Sequence, residues 1–338
     1  MITPAMRALR RQFPQAHIAL LTGRLSHEIM RGNPDIDEIL SFDEVGLFAW
    51  HPMEALKLIR RIRKEHFDTA FIFQYSSLIH SLVLMFGIPF RIGYDNAGSG
   101  FSLTHKIPWE KDGRRWTGDI HLDIARFLGA RIEERNLIVE VSEEDMAFVD
   151  RFLKQEGAGA DDALIGIFPG GGKNSRDTVY QKQWGIEKYA FIIDALFANY
   201  QAKIIIFGSR DDQEIVSKLT GLCRAKLINA CGKVGLKQLA ALIKRCSLFI
   251  TNDSAPLHIA IAMGTPTVSV FGPSRASAIV DRSARHITIQ SRYPCSPCYC
   301  NSVFPGCEKP RCMDAIGYEE VLAATQLQLD EILTIKGG

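Results

Sequence analysis

The stretch Leu248-Phe-Ile-Thr-Asn-Asp253-Ser-Ala-Pro-Leu-His258, running on through Gly264-Thr-Pro to Thr267-Val-Ser-Val-Phe271 and Gly272-Pro-Ser274, decides the fold. Leu248–Thr251 and Thr267–Phe271 are short runs of apolar and β-branched residues, the pattern of strands buried on both faces of a parallel sheet. Between them, Ile259–Met263 reads as a helix of small and apolar residues. Strand, helix and strand in this order form a right-handed βαβ unit. Asp253 and Ser254 fall where the first strand ends and the helix begins. The first N–H groups of such a helix lack internal partners and can bind a diphosphate. The competing role for Asp253 or Ser254 is a simple N-cap.

The same alternation extends in both directions. Upstream strand runs are His17–Thr22, Ile36–Phe42, Thr69–Phe73, Arg91–Tyr94 and Leu137–Val141, with helical patterns at Pro52–Lys64 and His121–Leu128. The second half adds Leu164–Phe168, Lys203–Phe207, Lys226–Asn229 and His286–Gln290. Strands alternating with helices predict an α/β chain built on parallel sheets. The small, polar Gln155–Asp162 segment marks a boundary after the helix Glu143–Lys154. The expected domains are residues 1–156, residues 157–317 with a Cys-rich loop at 293–312, and a C-terminal helix within 318–338.

Three further loops follow strands. Phe168-Pro-Gly-Gly-Gly-Lys-Asn174 places Gly171, Gly172 and Asn174 where backbone N–H groups can approach an anion. It is not a Walker A loop, because Lys173 is followed by Asn174. Lys182-Gln-Trp184 offers a point charge to a phosphate. Gly208-Ser-Arg-Asp-Asp-Gln-Glu214 offers acidic residues that hold ribose hydroxyls or cap the next helix.

The 338 residues carry a formal net charge of +2, too little to imply a nucleic-acid partner. Two basic clusters stand out, Arg7, Arg10, Arg11 and Arg60, Arg61, Arg63, Lys64. Each reads as a solvated helix face or as a patch for an anionic acceptor or membrane surface. No signal peptide and no membrane-spanning run is visible, so the expected location is cytoplasmic, with peripheral contact to the inner membrane.

Five of the eight cysteines crowd together: Cys295, Cys298, Cys300, Cys307 and Cys312. They offer enough thiolates for zinc or an iron–sulfur cluster, or else remain reduced structural thiols. Only one pair has Cys-x-x-Cys spacing, unlike a standard zinc module.

These blocks, in this order, resemble the family-nine glycosyltransferases, the heptosyltransferases of lipopolysaccharide synthesis. The carriers are Gly-Gly-Gly-x-Asn174, Lys182-x-Trp184, the strand and Gly-Ser turn at 203–209, and Asp253-Ser-x-Pro-Leu-His258 through Phe-Gly-Pro-Ser274. Thr3-Pro-Ala-Met-Arg-Ala-Leu9 through Leu21-Thr22 resembles the family's first helix and second strand. The resemblance implies a GT-B fold, with two Rossmann-like domains facing across a cleft. It implies inverting transfer from a nucleotide-diphosphate sugar such as ADP-heptose to an anionic glycolipid acceptor of the lipopolysaccharide core, with no required cofactor. Lys182 and Asp253 then hold the diphosphate sugar, and Ser254, Ala255 and Gly272 offer backbone to it. Gly171, Gly172, Asn174 and His258 complete the donor site, and Gly232–Gly235 lies near the expected nucleobase.

The resemblance also implies a departure. The family opens with a strand and an Arg-x-x-x-x-Gly-Asp turn before Thr-Pro, and that Asp is the expected general base. This sequence reads Met1-Ile-Thr-Pro4, so no residue inherits the role, and neither Asp95 nor Asp119 is assigned to it. The expectation is a truncated first domain with a gap or a re-pairing between His17–Thr22 and Thr69–Phe73, which binds donor but transfers poorly. A catalytically silent sugar-nucleotide-binding protein and a nucleotide-sugar epimerase are the alternative functions.

Overall fold

The computed structural model describes residues 1–338 except 44–51, 75, 97, 110–112, 172–178, 300–304 and 338. The chain forms two compact units, Met1–Ile138 and Val139–Gly338.

The second unit is built on six parallel strands: β6 (Leu164–Phe168), β7 (Lys203–Ile206), β8 (Leu227–Asn229), β9 (Leu248–Asn252), β10 (Thr267–Phe271) and β11 (His286–Gln290). Their order across the sheet is β11-β10-β9-β6-β7-β8. Counted from β6, this is the doubly wound order 3-2-1-4-5-6, which reverses direction between β6 and β9. Every residue of β6, β9 and β10 is buried, which explains why apolar and β-branched residues dominate them. Ligands of open α/β sheets bind beyond the carboxyl ends of the strands at this reversal. The loops that follow β6 and β9 therefore frame the ligand-binding edge of the sheet.

The helix α6 (Glu143–Gln155), expected to close the first domain, lies in the second unit. It packs on α9 (Leu236–Arg245), and Arg245 binds Asp150 at 2.9 Å. Its start is set by a reciprocal Ser142–Asp145 capping box. Leu137–Val141 is not a strand but an extended connection, in which the Ile138 N–H donates to Thr3 Oγ at 3.1 Å. The final helix, Tyr318–Gly337, packs on the helix Ile186–Tyr200 within the same unit.

In the first unit, β1 (Ala19–Gly23) pairs with β2 (Glu38–Phe42), and β3 (Thr69–Ile72), β4 (Phe90–Asp95) and β5 (His105–Pro108) form a second sheet. All pairings are parallel. Among the described residues, β1 and β3 each bond to a strand on one side only, and no re-pairing joins them. Their central residues stay half-buried, unlike those of β6 and β9. The strand β5 was not expected from the sequence; it is short, and three of its four residues are exposed.

The first basic cluster is neutralised within this unit. Arg7 pairs with Asp35 and Glu134, Arg10 with Asp37, and Arg11 with Glu133 and Glu134. Its reading as a patch for an anionic partner is therefore corrected. Arg60, Arg61, Arg63 and Lys64 lie exposed on the helix α3 (Pro52–Lys64). Among the described residues, no helix is long and apolar enough to cross a membrane.

His121, on the helix Thr117–Phe127, is buried against the rings of Phe73 and Tyr94, at 5.4 and 6.2 Å between centroids. Its Nδ1 has no hydrogen-bond partner among the described residues. Burial pushes its pKa down to about 3 from 6.5. The unfolded chain therefore takes up this proton first. The stability that the neutral ring contributes is present above pH 6.5 and is lost as pH falls toward 3. At pH 5 the loss is about 2 kcal/mol, from ~1.4 kcal/mol per pKa unit. Urea unfolding at pH 7 and pH 5 measures it, and His121→Gln should flatten the difference; an equal slope in the variant refutes this assignment.

Candidate functional site

The site grows from the end of β9. Asn252 is fully buried, and all its side-chain contacts are structural. Its Nδ2 donates to the carbonyls of Pro169 and Gly170, each at 3.0 Å. Its Oδ1 accepts the Trp184 N–H at 3.2 Å and the Tyr189 hydroxyl at 2.9 Å. One side chain thus ties the loop after β6 and the Lys182–Trp184 segment to the end of β9. Trp184, also buried, anchors its segment further by donating Nε1–H to Ile316 O at 3.1 Å.

The next residue carries the chemistry. Lys182 ends a 3₁₀ turn, Tyr180–Lys182, and its Nζ stands 2.8 Å from Asp253 Oδ2. The same oxygen accepts the Ser274 hydroxyl at 2.6 Å. The ammonium also lies 4.4 Å from the centroid of the Tyr299 ring, a cation–π contact. The Lys182 and Asp253 side chains keep only 16% and 8% of their exposure, so their attraction is weakly screened.

Beside this pair begins α10 (Ala255–Ala262), with Pro256 in its first turn. Ser254 is the N-cap residue but makes no capping bond; its hydroxyl meets Thr251 Oγ at 3.0 Å instead. Asp253 is committed to Lys182 and Ser274. The N-cap alternative therefore fails for both residues. Ala255 is exposed at the helix start. His258, half-buried on α10, has a buried Nδ1 with no hydrogen-bond partner among the described residues, and burial lowers its pKa.

The glycines meet this cluster from two sides. Gly171 has φ +111°, a conformation that side chains rarely adopt, and a Cβ there would lie 3.2 Å from Ser254 Cβ. Its carbonyl accepts Gln183 Nε2–H at 2.8 Å. Gly272 admits Met313, whose sulfur would stand 2.3 Å from a Cβ. Gly172, Asn174 and Cys300 lie outside the described residues.

In the Gly208 loop, capping is what the structure shows. Asp212 accepts the Ser209 N–H at 2.8 Å and its hydroxyl at 2.6 Å, so this carboxylate is already occupied. The turn bearing Gly232 joins the same loop, donating its N–H to Gly208 O at 3.0 Å. In the first unit, Asp95 accepts the Gly98 and Gly100 N–H groups and pairs with Lys106 at 3.3 Å. Asp119 is held by Arg115, Arg126 and Arg135. Burial raises its pKa, but the arginines outweigh burial and lower it on balance. Both carboxylates serve the fold.

Sequence reasoning found Lys182 and Asp253, which the structure brings together. It missed Asn252, Ser274 and Tyr299 as participants. The first two stood inside the quoted motif without a distinguishing signal, and Tyr299 arrives from a segment 46 residues beyond Asp253.

A doubly wound sheet carrying a Lys–Asp pair at an uncapped helix start is an arrangement with which an α/β fold can hold an anionic ligand. Residues 55–303 match the pattern of Glycosyltransferase family 9 (heptosyltransferase), and the chain belongs to that family. It is a glycosyltransferase. Lipopolysaccharide heptosyltransferase 3 of Escherichia coli K12 is 28% identical over 80% of this chain and 78% of its own length. The glycosyl transferase family 9 structure from Veillonella parvula is 25% identical, with a TM-score of 0.82 over 98% of this chain and 93% of its own. ADP-heptose lps heptosyltransferase II of E. coli shares the fold at 20% identity, with a TM-score of 0.75 over 100% of this chain and 95% of its own. The α/β fold of GT-B type expected from the sequence thus holds.

Proposed function

We propose that this chain transfers a heptose from ADP-heptose to a lipopolysaccharide core acceptor, with inversion at the transferred carbon. The observation that carries the reading is the Lys182–Asp253–Ser274 cluster beside the uncapped start of α10. A departing diphosphate gains negative charge, which the Lys182 ammonium and the helix N-terminus stabilise. Ser254, Ala255 and the glycines Gly171, Gly172 and Gly272 bring backbone to the phosphates, with Asn174 and His258 alongside. Asp253 accepts donor hydroxyls. No cofactor enters the transfer itself.

The acceptor is an anionic glycolipid bound by the first unit at the cytoplasmic face of the inner membrane. The exposed Arg60, Arg61, Arg63 and Lys64 supply a basic face for it. The test is incubation of the chain with ADP-heptose, or with other nucleotide sugars, and heptose-deficient core glycolipid. Mass spectrometry should show one added heptose, and NMR of the product should show the inverted anomer. Donor binding with no transfer to any core acceptor would overturn the enzymatic assignment in favour of a silent binding protein.

A further inference from the structure

The Lys182 ammonium has two neighbours of different kinds. Asp253 Oδ2 stands 2.8 Å from Nζ, and the centroid of the Tyr299 ring stands 4.4 Å from it. The transfer proposed above uses the first neighbour and gives the ring no part.

Tyr299 is fixed through its backbone. It forms an isolated parallel bridge with Ser274, and the Tyr299 and Cys298 N–H groups both donate to Pro273 O, at 2.8 and 2.9 Å. Slightly earlier in the loop, the Ser296 hydroxyl donates to Gly272 O at 2.6 Å and accepts Gln290 Nε2–H at 3.1 Å. The segment Gly272–Ser274 thus holds the loop that carries the ring, and its last residue donates a hydroxyl to Asp253 Oδ2 at 2.6 Å. One short stretch of chain therefore sets both neighbours of the ammonium. On the other side, Gln181, next to Lys182, donates Nε2–H to Cys307 O at 2.6 Å. Cys295, Cys298, Cys307 and Cys312 line a cavity of about 180 Å³ in this region. Among the described residues, no three His, Cys, Asp or Glu side chains are close enough together to hold a metal ion. The loop's order here comes from its backbone bonds.

We propose that Tyr299 is a positioning residue of the donor site, whose ring face orders the Lys182 ammonium for the diphosphate. Lysine carries its charge on a flexible four-carbon stem, and an ammonium ordered in advance spares the ligand that cost on binding. Asp253 alone would order the ammonium but would also offset its charge. An aromatic face attracts a cation through its quadrupole and carries no net charge. Its pull therefore leaves the positive charge available to the phosphates. A ring in place of water also weakens screening around a side chain that keeps only 16% of its exposure.

This role rests on the donor reading, and one experiment separates the two. ADP, GDP, UDP and CDP are titrated calorimetrically into the full chain and its variants, with a thermal melt of each protein to establish that it is folded. Tyr299→Leu and Tyr299→Met remove the ring. Each should raise the Kd of the diphosphate that binds best about three- to thirtyfold, the range that cation–π contacts span from exposed to desolvated sites. Tyr299→Phe keeps the ring face and should restore the affinity to within about twofold. In a Lys182→Met background, Tyr299→Leu should change the affinity by less than about twofold, because the ring acts through the ammonium. A full loss in Tyr299→Phe, or in the Lys182→Met background, overturns the role. So does unchanged affinity in both ring-removing variants, and so does tighter binding, which would make the ring an obstacle to the ligand. Wild-type protein that binds none of the four diphosphates overturns the donor reading, and the positioning role with it.

Discussion

Lys182→Ala lowers the rate of sugar transfer by about 10²- to 10³-fold, the usual consequence of removing one preorganised group that stabilises a developing anion. The loss falls mainly on the chemical step, because charge on the diphosphate grows as the glycosidic bond breaks. Ground-state donor binding weakens as well, by about 1.5–3 kcal/mol for a charge-assisted contact. Asp253→Asn keeps the shape but places an amide near the ammonium, which stands 2.8 Å from the present carboxylate. It should weaken donor binding by a similar amount. Because the two side chains touch, their effects should not add, and the double variant should cost less than the sum of the singles. Single-turnover transfer at saturating donor, with calorimetry for donor affinity, separates the two effects. Wild-type rate and affinity in both single variants would remove Lys182 and Asp253 from the donor site.

Asn252→Leu should destabilise the second unit by about 4 kcal/mol or more. The side chain is fully buried and makes four hydrogen bonds. Leucine fills a similar volume but leaves the Trp184 N–H, the Tyr189 hydroxyl and the Pro169 and Gly170 carbonyls without this partner. Each buried group so abandoned costs about 1–3 kcal/mol. Against a typical total of about 5–15 kcal/mol, that is a large fraction. The urea midpoint should fall sharply, and donor affinity should fall with it in the protein that remains folded. Asn252→Asp gives a sharper contrast, because it retains both acceptor contacts while turning an oxygen toward two carbonyls. A midpoint within about 0.5 kcal/mol of wild type for Asn252→Leu, the scale of an ordinary surface change, would refute the hub role.

How much of this was legible depends on burial. Leu164–Phe168, Thr267–Phe271 and His286–Gln290 were read from the sequence with the boundaries the structure shows. The first two are sealed on both faces and the third is mostly half-buried; apolar and β-branched residues dominate all three, and that signal is local. The strand His105–Pro108 escaped because its exposed, polar residues carry no such pattern. Leu137–Val141 imitated a strand with apolar residues that serve a connection instead. The helix Glu143–Gln155 was legible, but its membership of the second unit was not, since that follows from what it packs against.

The candidate site divides in the same way. Sequence alone placed Lys182 and Asp253 at strand-to-helix junctions, because turn chemistry and helix starts are written in adjacent residues. That they meet follows from the tertiary structure, in which β6 and β9 become neighbours although some 80 residues separate them. The same sheet order gave Asn252 its four partners and carried Tyr299 over Lys182. Local periodicity specifies which surfaces must be buried. Which buried surfaces find each other is settled only when the whole sheet closes its hydrogen bonds and packs its core, and no short window of sequence contains that information.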